Sequence, residues 1–331
     1  MPEAEGEFEI IARIFAPLAK DTGALGLRDD AAILMVTEAE ELVVTCDTLI
    51  AGVHFLPDDP PQSIGHKSLA VNVSDLTAKG AQGFAYTLSL ALPQDISTAW
   101  LEEFARGLQA VQEESGISLV GGDTTASPGP LTITITALGD VVHEQAVMRS
   151  GAMEGDRLYV SGTIGDAHLG LLLLRDPGLA KTWGLTDDET AFLIERYRRP
   201  GPNNALAGLV RNFGRAAIDV SDGLVGDIEK LCAVSQVGIR LGATDVPFSA
   251  AASKALAHDP GLLPVLITAG DDYEVVLAVS EKSVAGFESE AESIGARFTA
   301  LGNLLSADKG VSVSDAAGEP LAIKRKGFSH F

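Results

Sequence analysis

The chain has 331 residues, with 24 Lys or Arg against 46 Asp or Glu, so its formal net charge is −22 at pH 7. Binding to a nucleic acid or an anionic membrane requires a basic surface, and we therefore expect neither partner. The length exceeds what one hydrophobic core usually supports, which predicts two domains. No apolar run approaches the ~18 residues of a membrane span and the N-terminal stretch is acidic, so we expect a soluble, unprocessed protein.

The cysteine content indicates the compartment. Cys46 and Cys232 are the two cysteines of the sequence, too few for a disulfide framework or a zinc cluster. This favours a reducing compartment, and we expect the protein to be cytoplasmic. Cys46 is flanked by apolar residues, which indicates a small buried hydrophobic side chain.

Hydrophobic periodicity predicts a mixed order of helices and strands in the first half of the chain. The predicted helices lie at 7–19, 62–79 and 97–114, and the predicted strands at 31–36, 41–48, 83–92, 117–120 and 131–142. A polar, glycine-containing turn follows Arg149 and is typical of a domain boundary. We therefore predict an N-terminal domain at 1–150 and a C-terminal domain at 151–331.

The second half of the chain has the same mixed order of helices and strands, and the fold class is predicted as α/β with mixed sheets. Strands are predicted at 157–161, 215–220 and 273–279 and near Phe298 and Val311, and helices at 167–174, within 189–211, at 225–235 and at 281–294. Glycine-rich stretches at 121–125 and 161–170 are interpreted as turns that follow strands. Neither matches the phosphate loop of the P-loop enzymes or the Rossmann fingerprint. Protein-kinase and nucleophile-elbow motifs are also missing, so covalent catalysis is not expected.

Several carboxylates stand at the ends of apolar elements or beside predicted turns, where a merely solubilising residue is not expected. They are Asp29, Asp30, Asp47, Asp75, Asp123, Asp219 and Asp222. Two unit charges at ~4 Å repel by roughly 4 kcal/mol at an effective dielectric near 20, so a cluster needs protons, basic partners or metal ions. Oxygen ligands without a His or Cys cluster suit Mg²⁺, which normally enters with phosphates. The alternative for each residue is a helix cap or an Asx turn.

Asp75 and two positions outside this set are informative on their own. Asp75 falls within an apolar helical stretch, where a buried carboxylate needs a counter-ion. His54, in a proline-bounded loop, is either a ligand contact or an ordinary surface residue. Arg149 either meets a phosphate through charge-assisted hydrogen bonds or lies exposed.

Eight motifs in order resemble those of the thiamine-monophosphate kinase family, within the aminoimidazole ribonucleotide synthetase superfamily. They are DDAA at 29–32, TCDTLIAGVHF at 45–55, KSLAVNVSDLTAKGA at 67–81, LVGGDTT at 119–125, RSGAMEGD at 149–156, IDVSDG at 218–223, AGDDYE at 269–274 and the terminal KGFSHF. The resemblance covers essentially the whole chain. It implies two α/β domains, a homodimer formed through N-terminal sheets, and transfer of the γ-phosphoryl group of ATP to thiamine monophosphate.

The resemblance also implies roles for particular residues. It places Mg²⁺ at Asp30, Thr45, Cys46, Asp47, Asp75, Asp123, Asp219 and Asp222, and among these it takes Asp30, Asp75, Asp123, Asp219 and Asp222 as catalytic. ATP contacts fall on Gly122, Asp123, Arg149 and Ser221, and thiamine monophosphate contacts on His54, Asp271 and Phe328. The implied mechanism is direct in-line attack by a substrate phosphate oxygen, without a phosphoenzyme. Catalysis then rests on positioning and charge stabilisation.

The sequence departs from the family pattern at four positions. Arg28 replaces a glycine, Cys46 a threonine, Asp271 a glutamate, and Ser115 an aromatic residue. Two alternatives to the kinase remain open. One is another ATP-dependent synthetase of the superfamily, although the cysteines expected in selenophosphate synthetase or the hydrogenase-maturation dehydratase are missing. The other is a non-catalytic protein that binds divalent cations.

Overall fold

The computed structural model describes residues 10–27, 34, 37, 39–201, 204–323 and 327–328. The chain divides into two compact units. The first unit comprises Met1–Leu76 and Ala81–Ala146, and the second comprises Thr77–Gly80 and Val147–Phe331. The sequence put the division after residue 150, and a separate role for each domain stays a prediction. A search of the described ranges finds no helix with the length and apolarity needed to cross a membrane.

The first unit is built on a four-stranded sheet with the order β1-β4-β2-β3. Its strands are β1 (Glu40–Ile50), β2 (Gln82–Leu92), β3 (Ser118–Ala126) and β4 (Thr132–Val142). β4 pairs antiparallel with β1 and β2, whereas β2 and β3 run parallel. A parallel pair needs a crossover connection, and α2 (Thr98–Ser115) supplies it.

Two helices of the first unit cross closely because small residues meet at the crossing. In α1 (Pro61–Ala78), a Cβ atom at Gly65 would lie 2.0 Å from the Phe104 carbonyl oxygen. In α2, a Cβ atom at Gly107 would lie 2.0 Å from the Gln62 carbonyl oxygen. Leu76 of α1 is fully buried and reaches both β2 and β4. α1 therefore packs on one face of the sheet, which we call the inner face.

The second unit contains two further sheets. The order β6-β8-β5-β9 is antiparallel throughout, and the order β10-β7-β11 is mixed. The strands are β5 (Arg157–Ser161), β6 (Gly214–Asp219), β7 (Val237–Gly242), β8 (Val275–Val279), β9 (Phe298–Asn303), β10 (Leu305–Ser306) and β11 (Val311–Ser314). The central strands β8 and β5 are almost completely buried, so their continuous apolar sequences match their position.

Eight α-helices of the second unit lie within the described residues. They are α3 (Asp166–Arg175), α4 (Gly178–Thr182), α5 (Asp187–Arg198), α6 (Leu206–Phe213), α7 (Leu224–Ser235), α8 (Ala250–His258), α9 (Leu263–Leu266) and α10 (Val284–Ser293). α5 begins with a capping box in which Thr186 and Glu189 each accept a hydrogen bond from the other's backbone N–H. One core lies between β5, β6, β8 and α7, and a second lies around Phe287.

The mixed α/β prediction is confirmed, but several predicted elements need correction. The predicted helix at 7–19 is a π-helical turn at Ile11–Phe15 and a 3-10 turn at Ala16–Leu18 within the described residues. The stretch 121–125 was expected to be a turn, yet it lies inside β3. β8 begins at Val275 because Tyr273 has a φ of 51°, which no strand residue adopts. The sequence interpretation missed β7 and α8. The predicted strand at 31–36 falls largely outside the described residues.

Candidate functional site

Thr45 and Asp75 meet on the inner face of the first unit. The Thr45 hydroxyl donates a hydrogen bond of 2.5 Å to Oδ2 of Asp75, and both side chains are half-buried. The sequence required a counter-ion for Asp75, and the structure supplies a hydroxyl donor. Asp47 follows Thr45 by two residues on β1 and therefore shares its face. Three oxygen-bearing side chains are thus brought to one face.

Cys46 points away from this group. It alternates with Thr45 and Asp47 along β1, its side chain is exposed, and its thiol lies 3.4 Å from the Thr136 hydroxyl, which donates to it. The interpretation of Cys46 as a buried hydrophobic residue was wrong because the face opposite α1, which we call the outer face, is open at this strand. A ligand role on the inner face would therefore fall to its backbone carbonyl.

Asp123 and Gly122 lie on β3, at the far edge of the sheet from β1. β1 and β3 are three strand spacings apart, about 14 Å. Asp123 is aligned with Ser89 on β2 and is exposed on the outer face. The expectation that Asp47 and Asp123 project from strand ends is therefore wrong, because both lie within strands. A Cβ atom at Gly122 would lie 1.9 Å from the Leu88 carbonyl oxygen, so close strand pairing requires glycine there.

His54 folds back onto the end of β1. Its Nδ1 accepts a hydrogen bond of 3.0 Å from the Ile50 backbone N–H, and its own N–H returns one to the Ile50 carbonyl. Because Nδ1 is an acceptor, this geometry assigns the ring proton to Nε2. Gly52, at a φ of 84°, permits the tight turn between them. His54 is therefore a fixed, half-buried donor.

In the second unit, Asp219 and Asp222 flank a turn between β6 and α7. Asp219 ends β6 and is buried, whereas Asp222 is half-buried and receives a hydrogen bond of 2.5 Å from the Lys230 ammonium. Asp227 accepts the backbone N–H groups of Asp222 and Gly223 at 3.0 and 3.1 Å. The turn is therefore held by a helix-capping carboxylate from the first turn of α7.

Sequence reasoning missed Asp227 and Lys230. Their spacing of three residues on a helix was the available signal, because side chains at i and i+3 are neighbours. Lys230 also donates to Asp227 at 2.8 Å. Burial raises the pKa of Asp227 against the lowering effect of Lys230, and contacts with Asp222 and Asp227 raise the pKa of Lys230 although desolvation opposes them. Asp222 thus has a basic partner that the sequence analysis did not identify.

A second turn brings Asp271 and Phe328 to the same place. The Asp271 N–H donates to the Ser221 carbonyl oxygen at 3.0 Å, and the Phe328 N–H donates to the Asp222 carbonyl oxygen at 2.8 Å. The Phe328 ring is 50% exposed, unusual for a large apolar side chain. Ser221, Asp222, Asp271 and Phe328 therefore form one cluster in the second unit.

The backbone of Arg149 is hydrogen-bonded to a residue outside this cluster. Its side chain is exposed, and its carbonyl oxygen accepts a hydrogen bond of 3.0 Å from the Ser235 hydroxyl at the end of α7. The same hydroxyl accepts the Ala152 N–H at 3.3 Å. Ser235 therefore fixes the backbone from which the Arg149 guanidinium extends.

No three His, Cys, Asp or Glu side chains lie close enough to hold a metal ion, counted over the described residues. Asp29 and Asp30, and the departure at Arg28, lie outside those residues. Ser115 is buried and donates to the Val111 carbonyl oxygen at 2.7 Å, so it closes α2. The predicted ligands that are described, Thr45, Asp47, Asp75, Asp123, Asp219 and Asp222, carry the oxygen donors that a hard divalent cation prefers.

Comparison with known proteins defines the class first. The family described as "AIR synthase related protein, N-terminal domain" matches residues 28–141. The fold and this match place the chain among the AIR synthase-related proteins.

Full-length relatives then define the particular family. The thiamine-monophosphate kinase of Escherichia coli strain K12 is 37% identical over 330 residues, 98% of each chain. The crystal structure of thiamine-monophosphate kinase from Stenotrophomonas maltophilia K279a is 38% identical, covers 96% of this chain and 98% of its own, and has a TM-score of 0.84. A structure described as "AaThiL complexed with AMPPCP and TMP" is 29% identical, covers 98% and 97%, and has a TM-score of 0.76. The chain belongs to the thiamine-monophosphate kinase family.

Proposed function

We propose that this protein transfers the γ-phosphoryl group of ATP to thiamine monophosphate, which yields thiamine diphosphate and ADP. The observation that carries the proposal is the 37% identity to the Escherichia coli kinase across 98% of both chains. The complex of a relative with AMPPCP, a non-hydrolysable ATP analogue, and TMP supports the same pair of substrates. The reaction would serve the biosynthesis of thiamine diphosphate.

The proposal includes Mg²⁺, for which the described donors are suitable. In the first unit it would be held by Asp30, Thr45, Asp47, Asp75 and the carbonyl oxygen of Cys46, and in the second unit by Asp219 and Asp222. Asp123, exposed on the outer face, would hold a cation there. When bound, the cation would neutralise phosphate charge. The Thr45 hydroxyl orients the Asp75 carboxylate at 2.5 Å, and Lys230 balances the charge of Asp222. These residues therefore hold the carboxylates ready before any cation is present.

The remaining residues would bind and orient the two substrates. Gly122, Asp123, Arg149 and Ser221 are assigned to ATP, and His54, Asp271 and Phe328 to thiamine monophosphate. The exposed Phe328 ring can stack on a flat cationic ring, and Asp271 can face its charge. A phosphate oxygen of the substrate is already ionised at neutral pH, so direct in-line transfer needs positioning more than a general base.

The test is whether ADP release depends on the acceptor. Purified protein with ATP and Mg²⁺ is assayed for ADP with and without thiamine monophosphate, and the product is identified by ³¹P NMR. We expect ADP and thiamine diphosphate in equal amounts, and only when the acceptor is present. Cation binding without acceptor-dependent ADP release would instead favour a non-catalytic divalent-cation-binding protein. ADP release with a different acceptor would favour another synthetase of the superfamily.

We also infer that two copies associate through the outer face of the first unit. Leu42 and Val44 of the edge strand β1 are 44% and 55% exposed, and Val142 at the end of the neighbouring strand β4 is 47% exposed. Apolar side chains aligned on an open sheet face favour a partner. Light scattering should report a dimer at micromolar concentration, and Val44→Lys should shift it toward monomer. A wild-type monomer under these conditions would rule out the homodimer.

The cytoplasm is the proposed location. Both cysteines are unpaired in the structure, in keeping with a reducing compartment. A reaction that consumes ATP and requires Mg²⁺ draws on the pools that the cytoplasm provides. Cell fractionation with an antibody against the protein should find it with cytoplasmic markers, and recovery with an oxidising compartment would contradict the assignment.

A further inference from the structure

Asp271 lies in a backbone segment that is held in an unfavourable conformation. Asp271 has a φ of 78° and Tyr273 a φ of 51°, and neither is glycine. Residues other than glycine keep such a conformation only where several contacts with their surroundings hold the backbone in place. The segment 271–274 must therefore be fixed by contacts on more than one side.

One side of the segment is fixed by the turn that follows β6. The Asp271 N–H donates to the Ser221 carbonyl oxygen, the Tyr273 N–H to the Val220 carbonyl oxygen at 2.9 Å, and the Val220 N–H to the Glu274 carbonyl oxygen at 2.7 Å. A Cβ atom at Gly270 would lie 2.2 Å from the Ser221 carbonyl oxygen. The two turns are thus in direct backbone contact.

The other side is fixed by Asp272, which is fully buried. Its Oδ2 accepts the Gly165 N–H at the start of α3 at 2.8 Å, and its Oδ1 has no hydrogen-bond partner among the described residues. A buried carboxyl oxygen without a partner is costly unless the group is neutral. Burial raises the pKa of Asp272 well above its ordinary value, which favours the neutral acid.

Arg196 of α5 holds the same segment at two points. One of its guanidinium nitrogens, Nη2, donates to the Asp272 carbonyl oxygen at 3.1 Å and to the Glu274 carboxylate at 2.9 Å. The second oxygen of Glu274 accepts the Ser161 hydroxyl at 2.5 Å. Side chains 272 and 274 are therefore anchored between α3, α5 and β5.

We propose that Asp272 and Arg196 are positioning residues that clamp the strained segment and so set the place of Asp271 against its substrate. The inference rests on the proposed role of Asp271 toward thiamine monophosphate. The two residues touch no substrate themselves. They act by making the left-handed conformation of Asp271 the stable one.

Asp272→Ala, Asp272→Asn and Arg196→Met test the clamp by steady-state kinetics and by amide hydrogen exchange. We expect Asp272→Ala and Arg196→Met to raise the KM for thiamine monophosphate at least tenfold and to change the KM for ATP less than twofold. Asp272→Asn should stay within threefold of wild type, because its amide oxygen still accepts the Gly165 N–H. Exchange of the Asp271 and Tyr273 amide protons should accelerate in the two disruptive variants.

Asp156→Ala is the matched control, because Asp156 is likewise buried and accepts a backbone N–H, that of Met153 at 2.8 Å, in a turn outside the 271–274 segment. It should lower the melting temperature without changing either the acceptor KM or exchange at 271 and 273. Unchanged exchange in Asp272→Ala would overturn the clamp. Faster exchange with an unchanged KM would overturn its role in placing Asp271. A wild-type enzyme inactive on thiamine monophosphate would refute the proposed function instead, and the exchange result would still report on the clamp.

Discussion

Thr45→Val isolates the hydrogen bond between the Thr45 hydroxyl and Asp75. The substitution keeps the size, shape and strand preference of the side chain but removes the donor, which lies 2.5 Å from the carboxylate. A hydrogen bond to a charged group contributes about 1.5–3 kcal/mol. Both side chains are half-buried, so water replaces part of the contact and the lower end of that range applies.

Loss of about 1.5 kcal/mol corresponds to roughly a tenfold change in an equilibrium constant. We expect the free energy of unfolding to fall by that amount in urea denaturation. If Thr45 and Asp75 hold the cation, the dissociation constant for Mn²⁺, measured by electron paramagnetic resonance, should rise at least tenfold. Thr45→Ser restores a hydroxyl on the same backbone and should recover most of both losses.

Thr48→Val is the matched control on the same strand. Thr48 lies on the outer face, where its hydroxyl is exposed and shares a neutral hydrogen bond of 2.8 Å with Thr134. Its loss should cost less than about 0.5 kcal/mol, because water satisfies exposed hydroxyls. Equal effects of Thr45→Val and Thr48→Val on unfolding would refute the charge-assisted bond, and unchanged Mn²⁺ affinity would refute the cation assignment of Thr45.

Two further predictions concern stability. Burial raises the pKa of Asp272 and of Glu274, so the folded protein retains protons that the unfolded chain has released. The resulting loss in the free energy of unfolding is absent below about pH 4 and grows as the pH rises through the folded pKa values. The urea concentration at the unfolding midpoint should therefore decrease as the pH is raised from 5 to 8, and it should decrease less steeply in Asp272→Asn. An equal slope in that variant would contradict the contribution of Asp272. Gly122→Ala would place a Cβ atom 1.9 Å from the Leu88 carbonyl oxygen. We expect the free energy of unfolding in urea to fall by about 3 kcal/mol. Wild-type stability of this variant would show that β2 and β3 separate easily.

Periodicity in the sequence was enough to predict the fold class and most elements of the first unit. β1, α1 and β2 agree with the predicted ranges within two residues, because long apolar patterns bounded by turns leave little ambiguity. The sequence interpretation ended the strand that corresponds to β3 at residue 120, because two glycines and polar residues follow its apolar start. Pairing with β2 overrides that weak local preference, and only the neighbouring strand reveals it.

The candidate site was predictable only in part. Residue types and motif order pointed to the family, which is confirmed. The sequence required a counter-ion for Asp75, whereas the structure gives it a hydroxyl donor, Thr45. Thr45 is thirty positions away and meets Asp75 through packing of α1 on β1. Lys230 was nearer in sequence to Asp222 and still overlooked, because the turn that brings them together depends on Asp227. The Mg²⁺, ATP and substrate assignments of individual residues stay predictions.

The four residues from Asp271 to Glu274 show that a motif alone does not distinguish a residue that contacts the substrate from a residue that positions it. Asp272 is buried against α3, and Glu274 is half-buried in contact with Arg196, whereas Asp271 is half-buried beside Ser221. Two adjacent aspartates thus have opposite surroundings, and the first of them holds a positive φ of 78°. The pair therefore acts as one unit: burial of the second aspartate sets the position in which the first is presented.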